Sequence, residues 1–463
     1  MREDEFKNEF EDEFRAMFAE RSEDVRVTTS PYRAVRQRIL AARRRRRQRI
    51  GGAGAALAVA AVGIGVWGMV SGGPQGAGPV TPGATTSSPG ATPAKASGSP
   101  LFVYDDGVTE LPAGPLRDAA ESYLDARYQG DLSGLTAVTT FDKAMQTAAG
   151  KATSPNDIGL AAMDPKTGYV KALRGAWDRP VEVDDTIKAV TLAAAFQTGH
   201  YTPQTTEPLT TDRHPLYWPA NSATPLTYVD DRTHKKYNWP PENNTGRVSG
   251  DSEVTLLQAA VDQANAPFAA LELAADVTPA KVRDMAVALG MPSDTPDLSG
   301  VPALTLGTPM ASPLTMTTVY GVFAAGGVRH DPVMVSVVRD GSGTELWKPE
   351  TAGHRVLSQD TADEITTVLH EVLTKGPTAG DADVRALGAR GMAGMPGNSS
   401  FNHAAWFDGY SPDLVTAVSL SHVTPDGLLQ PLVGGPNGGM VFGGPAAGPI
   451  WAAFTKQAVL PSH

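Results

Sequence analysis

The run from Ile50 to Val70 constrains this chain more than any other segment. It holds no charged residue, is rich in Ala, Gly and Val, and has roughly the 20 residues that a helix needs to cross a hydrocarbon core. Arg43–Arg47 and Arg49 precede it directly, and the positive-inside rule places this flank and the N-terminus in the cytoplasm. The sequence therefore predicts a single-pass membrane protein with a large extracytoplasmic part. A cleavable signal peptide is the alternative, but a long region precedes the run and no A-x-A site directly follows it.

The segments beside this run have distinct compositions. Residues 71–100 are rich in Gly, Pro, Ser and Thr, which predicts a disordered linker. Residues 101–157 are predicted to form a short helical neck, because Pro115–Gly130 carries apolar residues at helical spacing before a Gly-Asp break.

The tail of residues 1–49 contains a regular aromatic stripe. Phe6, Phe10, Phe14 and Phe18 recur every four residues among acidic side chains, as in an amphipathic helix. Such a stripe can dock a cytosolic protein, which we take as a hypothesis. The structural alternative is a frayed acidic helix near the arginine block.

The formal net charge of −11 is divided unevenly along the chain. Residues 1–49 hold 14 basic and 10 acidic residues, which leaves 25 basic and 40 acidic residues, or −15, for the rest. Because such a surface repels polyanions, the large domain is not expected to bind nucleic acid. The chain has no cysteine, so disulfides and thiolate chemistry are excluded.

From Ile158 to the C-terminus the pattern is α/β, which predicts one domain over 158–463. Asp164–Gly168 is a turn between two short apolar strands, and Asp184 or Asp185 can cap a helix that stops at Gly199. Other predicted helices are Val254–Ala264, Pro279–Leu289, Pro313–Ala325, Ser358–Leu373 and Pro449–Val459, and other predicted strands are Met334–Arg339, His403–Asp408 and Leu414–Leu420.

Several phrases in this domain follow the order and spacing of a known family. They are Met163–Gly168, Val254–Leu256, Leu304–Thr308, Phe323–Val328, Ala405–Phe407 with Gly409-Tyr410 and Pro412-Asp413, and Gly443-Gly444 with Pro449–Trp451. With these phrases the domain resembles the transpeptidase domain of penicillin-binding proteins, most of all the bifunctional class. The resemblance implies an antiparallel sheet flanked by helices, an all-α part, and a role in peptidoglycan assembly. We expect no glycosyltransferase domain, since only a neck and a linker stand before this unit.

The family forms a serine ester with three motifs, S-x-x-K, S-x-N and K-T-G. Lys188 matches the first motif, but Asp185 stands where its serine should be, one helical turn earlier. A carboxylate there cannot form the stable ester and pairs with the lysine ammonium, which removes the lysine as a base. Thr186 is the other nearby hydroxyl, but its position points it around the opposite side of the helix.

The other two motifs are altered as well. In the second, Gln263 replaces the serine while Asn265 keeps its place, although an asparagine that ends a helix before Ala266-Pro267 is an equal alternative. The third falls at Met395-Pro396-Gly397-Asn398, where only Gly397 matches. Losing the lysine charge and the threonine hydroxyl weakens the grip on a peptide carboxylate.

These changes predict a catalytically degenerate, membrane-anchored protein that binds rather than catalyses. The expected partners are peptidoglycan stem peptides, bound weakly, or proteins of the cell wall and divisome. The alternative is an active D,D-transpeptidase or carboxypeptidase that binds penicillin through an unrecognised nucleophile. Neither a metal nor a cofactor is expected, because the histidines are scattered and Gly434–Gly444 lacks the lysine of a phosphate loop.

Overall fold

The structure, a computed structural model, describes residues 99–459 apart from seven gaps. The gaps are 209–213, 230–234, 241–252, 377–379, 400–401, 425–426 and 436–438. The predicted tail, membrane span and nearly all of the linker lie outside the described residues. In the part of the chain that is described, no helix is long and apolar enough to cross a membrane.

The strands are numbered along the described residues. They are β1 (Leu101–Val103), β2 (Thr136–Thr139), β3 (Asp157–Met163), β4 (Val170–Gly175), β5 (Val181–Glu182), β6 (Thr206–Pro208), β7 (Thr227–Val229), β8 (Lys236–Asn238), β9 (Glu253–Thr255), β10 (Met310–Ala311), β11 (Val328–Arg329), β12 (Val335–Arg339), β13 (Glu345–Trp347), β14 (His354–Arg355), β15 (Ala393–Asn398), β16 (Ala404–Tyr410), β17 (Val415–Val423) and β18 (Leu429–Gln430).

The helices are numbered in the same way. They are α1 (Pro115–Asp125), α2 (Lys143–Gly150), α3 (Lys188–Phe196), α4 (Leu256–Asp262), α5 (Asn265–Glu272), α6 (Pro279–Leu289), α7 (Pro313–Ala324), α8 (Gln359–Lys375), α9 (Ala382–Gly388) and α10 (Gly443–Val459), with 3₁₀ turns at Asp184–Ile187 and Leu304–Leu306.

The central sheet has the order β15-β16-β17-β3-β4, and β18 adds to β17. Every pairing in it is antiparallel, as the resemblance implies. The turn between β3 and β4 is tight: Gly168 has φ +75°, and a Cβ there would lie 2.2 Å from the Asp331 carbonyl oxygen. Only glycine fits this position without moving the backbone.

Helices cover both faces of the central sheet. Side chains alternate along β16, so Trp406 packs on the α7 face and Phe407 packs against Trp451 of α10 on the other. The core on the α7 face continues into the all-α part, where α3 to α6 and α8 bury their apolar sides together. Both faces are therefore covered, which explains why β16 and β17 are almost continuously buried.

The neck segment departs from the helical expectation. Besides α1 and α2 it contributes β1 and β2, which join β12 and β13 in a four-stranded sheet. Strand β2 of this segment thus pairs with β12, which lies about two hundred residues later in the chain. Local periodicity predicted α1 but could not show these non-local pairings.

Two helix boundaries were predicted wrongly. The last helix begins at Gly443 rather than at Pro449, which lies inside it. The helix predicted over Val254–Ala264 is α4, which begins only at Leu256, after strand β9, and stops at Asp262 because Gln263 takes a left-handed conformation with φ 55°. Of the two alternatives for Asn265, the structure does not show a helix end, since this residue begins α5. Both errors occur where contacts with other elements fix the helix end.

Candidate functional site

The amine of Lys188 is the centre of the site. Its side chain is fully buried at the start of α3, and Nζ donates to three oxygens. These are Asp185 Oδ1 at 2.5 Å, Asn265 Oδ1 at 3.0 Å and the Gln263 carbonyl oxygen at 3.2 Å. The Phe268 ring centroid lies 5.5 Å from Nζ. These three acceptors use all three N–H donors of the ammonium. Among the described residues, no hydroxyl is hydrogen-bonded to it.

The 3₁₀ turn Asp184–Ile187 places Asp185 beside Lys188. Asp184 has φ 55°, a left-handed conformation that non-glycine residues rarely adopt. Gly307 packs against it so closely that a Cβ at Gly307 would lie 2.1 Å from Asp184 Cα. The Thr186 hydroxyl points elsewhere and donates to the Val183 carbonyl oxygen at 2.6 Å. The turn thus presents a carboxylate, not a hydroxyl, to the lysine.

The second motif faces this turn across a region that the motif side chains fill with hydrogen bonds to one another, which we call the groove. Gln263 is 3% exposed, and its Nε2 donates to the Pro396 carbonyl oxygen of β15 at 3.1 Å. Asn265 receives the hydrogen bond from Lys188 at its Oδ1. The asparagine therefore has the polar role that the family resemblance implies, and it also begins a helix.

The third motif lies on β15, the edge strand of the sheet. A Cβ at Gly397 would lie 3.0 Å from Thr186 Cγ2, so this glycine packs against the 3₁₀ turn. Asn398 joins the site: its Nδ2 donates to Gln263 Oε1 at 3.2 Å and to Asp185 Oδ2 at 3.4 Å. Met395 is different, since its side chain is fully buried in the apolar core. The structure therefore brings Asp185, Lys188, Gln263, Asn265, Gly397 and Asn398 together, whereas Met395 contributes packing.

Comparison with known proteins identifies the fold and its family. The family model described as the penicillin binding protein transpeptidase domain matches residues 158–430. The chain belongs to this family. The resemblance seen in the sequence is thereby confirmed.

Similar penicillin-binding proteins occur in distant bacteria. The chain is 27% identical over 316 residues to penicillin-binding protein 1A of Neisseria meningitidis, covering 65% of this chain and 35% of that protein. It is 28% identical over 339 residues to penicillin-binding protein 2D of Bacillus subtilis, covering 68% of this chain and 44% of that protein. The chain thus spans less than half the length of these curated relatives.

Solved structures of Mycobacterium tuberculosis proteins share the fold. The penicillin-binding protein PonA1 matches with a TM-score of 0.59 at 22% identity, covering 75% of this chain and 90% of that chain. Penicillin-binding protein A, solved as a ceftriaxone acyl-enzyme complex, matches with a TM-score of 0.57 at 17% identity, covering 79% and 99%. At these identities the likeness concerns the fold.

Two buried carboxyl groups lie beside the motif residues. Burial raises the pKa of Asp184 well above its usual value, with further contributions from Glu182 and Asp185, and Asp184 Oδ2 has no hydrogen-bond partner among the described residues. Burial also raises the pKa of Glu182, while a hydrogen bond from the Ser399 hydroxyl at 2.9 Å opposes this. The ion pair of Lys188 and Asp185 therefore lies beside two carboxyl groups, Asp184 and Glu182, whose neutral forms are favoured by burial.

Sequence reasoning missed three partners of the motif residues. The Pro396 carbonyl oxygen accepts from Gln263, Ser399 binds Glu182, and the Gly443 N–H donates to Asn398 Oδ1 at 2.7 Å. Gly443 could have been suspected from the Gly443-Gly444 phrase. A Cβ there would lie 2.2 Å from the Trp406 carbonyl oxygen, so only glycine lets α10 begin against the sheet.

A surface cavity lies elsewhere on the penicillin-binding fold. It has a volume of about 570 Å³ and is lined by residues such as Asp157, Arg174 and Arg179 at the ends of β3 and β4. The motif residues do not line it. The groove at Lys188 is instead filled by the side chains of its own motifs.

Proposed function

We propose that this chain is a membrane-anchored member of the penicillin-binding family that serves peptidoglycan assembly by binding and not by acyl transfer. One observation carries the proposal: Lys188 Nζ is hydrogen-bonded to the Asp185 carboxylate at 2.5 Å, in the place where the family keeps a serine hydroxyl. This contact leaves the lysine paired with an acid. It supplies neither a nucleophilic hydroxyl nor a free base.

The chemistry of acylation explains why this matters. Attack on a peptide or β-lactam carbonyl by a hydroxyl yields an ester, and the neighbouring base must remove the hydroxyl proton. Attack by a carboxylate would yield a mixed anhydride, which water hydrolyses readily. The ammonium of Lys188 already donates to three oxygens and so has no lone pair for proton removal. The site therefore lacks both partners of the first step.

The proposed binding role has an inside and an outside part. The predicted span at 50–70 anchors the chain, with the large domain outside, where stem peptides or cell-wall and divisome proteins are its partners. The phenylalanine stripe of residues 1–49 offers a contact to a cytosolic protein. Support for the outer role comes from the family, whose fold the domain retains while its three motifs are changed.

Labelling with fluorescent penicillin tests the proposal. Membranes containing the full chain are incubated with the probe, denatured and resolved by mass. We expect no covalent band at the mass of this protein. A covalent band on the unmodified chain would show that an unrecognised nucleophile acylates, and would refute the proposal.

A restored variant tests the motif assignment in the same assay. Asp185→Ser, Gln263→Ser and Asn398→Thr together replace missing groups at positions that lie together in the site, and we expect measurable labelling. The matched control carries the last two substitutions with Asp185→Ala, which offers no hydroxyl and should remain unlabelled. Labelling of the control would place the nucleophile somewhere other than position 185.

A further inference from the structure

In the described part of the chain, strand β15 has one edge that pairs with no other strand. It ends the central sheet, bonded to β16 on one side, and its other edge is buried against Gln263 and the 3₁₀ turn Asp184–Ile187. An unpaired edge exposes carbonyl and N–H groups to which an extended peptide can add as a further strand. Here Pro396 has no N–H, so its carbonyl oxygen is the group that such a peptide would use at this position.

That carbonyl oxygen is already bonded to a side chain. The carboxamide of Gln263 has the same donor and acceptor as a peptide group, and both are used towards β15. Its Nε2 donates to the Pro396 oxygen at 3.1 Å, and its Oε1 accepts from Asn398 Nδ2 at 3.2 Å. We call these two hydrogen bonds the Gln263 contact. The first bond is to the backbone of the strand, and the second is to the side chain of Asn398 on the same strand.

The backbone of Gln263 adopts an unfavourable conformation in order to make this contact. The residue has φ 55° and ψ 38°, a left-handed conformation that is unfavourable for a residue with a Cβ. Such conformations persist only where contacts with neighbouring residues stabilise them. Asn398 supplies part of that support, since its Oδ1 is fixed by the Gly443 N–H at 2.7 Å.

We propose that the Gln263 contact is an autoinhibitory contact: the carboxamide occupies the β15 edge and must leave before a peptide can bind there. The inference rests on the proposed function, since it describes how a groove that does not acylate is kept closed to peptide. Opening the contact should raise peptide affinity without creating a nucleophile. Its loss removes two competing hydrogen bonds, each equivalent to about a two- to tenfold change in an equilibrium.

Two variants open the contact while keeping the backbone. Gln263→Gly suits the left-handed conformation and removes the carboxamide. Gln263→Asn keeps an amide and tolerates the same conformation, but is one methylene too short to reach Pro396. Gln258→Asn is the matched control, because Gln258 lies on α4, directly before Gln263, and its Nε2 donates to Asp262 Oδ2 at 2.7 Å on the surface.

The probe is the tripeptide diacetyl-L-lysyl-D-alanyl-D-alanine, and the measurement is calorimetric titration of the full chain in detergent micelles. We expect both Gln263 variants to bind about 10- to 100-fold more tightly than the unmodified chain, with Gln258→Asn unchanged. If folded Gln263 variants bind no more tightly than the unmodified chain, the inference is wrong. Should the glycine variant not fold, the asparagine variant decides the question.

This result is separable from the proposed function. If the Gln263 variants and the unmodified chain bind the tripeptide equally tightly, and the unmodified chain is not labelled by penicillin, the autoinhibitory inference is wrong but the proposed binding role is not contradicted. If penicillin labels the unmodified chain, the proposed function is wrong, whatever the affinities for the tripeptide.

Discussion

Replacing Lys188 with methionine should destabilise the protein far more than breaking an exposed ion pair of similar length. The Lys188 side chain is fully buried and that of Asp185 is 16% exposed, so water can compensate little when the ammonium is removed. Removing one partner of a buried pair typically costs about 3–5 kcal/mol, because a desolvated charge is left behind. Asp185 keeps the weak hydrogen bond from Asn398 at 3.4 Å, which favours the lower half of that range.

Equilibrium unfolding in urea, followed by tryptophan fluorescence, measures this change. Lys166→Met is the matched control, because Lys166 pairs with Asp413 at 2.6 Å but both side chains are largely exposed. We expect no measurable change for the control, since exposed pairs contribute little. Asp185→Asn and the double variant Lys188→Met/Asp185→Asn complete a thermodynamic cycle, with an expected coupling of at least about 2 kcal/mol.

Two results would refute this reasoning. One is a loss of less than about 1 kcal/mol for Lys188→Met, which would mean that the ammonium adds little to the folded state. The other is additivity of the two single changes within about 0.5 kcal/mol, which would mean that Lys188 and Asp185 are not coupled.

Two further predictions concern residues that surround the groove. Burial raises the pKa of Glu272 from 4.5 to about 8, so the folded state keeps a proton that the unfolded chain releases. The stability that Glu272 contributes should therefore be greatest below pH 4.5 and fall as the pH rises towards 8, by about 3 kcal/mol at pH 7. Glu272→Gln should remove this decline in a series of melting curves, and a variant with the parental pH profile would contradict the assignment. Gly307→Ala should lower stability by about 3 kcal/mol, because its Cβ would lie 2.1 Å from Asp184 Cα. Gly343→Ala has a similar φ but open space around it, so it should cost only about 1–2 kcal/mol, and equal losses would show that the close approach is unimportant.

The sequence alone predicted much of the fold. It also showed which catalytic groups of the family this chain lacks. Turn residues and apolar periodicity located β3, β4, β16, β17 and the helices α6, α7 and α8 within a few residues, because these signals are local. The spacing from Asp185 to Lys188 also fixed their contact, since residues three apart lie on one helical face.

Only the tertiary structure decided how the groove is filled. Gln263 meets Pro396 from 133 positions away, and Asn398 meets Gly443 from 45 positions away. These contacts depend on a left-handed residue at the end of α4 and on the start of α10, which local propensity placed six residues too late. The physical reason is that a hydrogen bond needs its atoms within about 3 Å. Between distant segments, that distance is set by how the cores on the two faces of the sheet pack, and no local pattern encodes it.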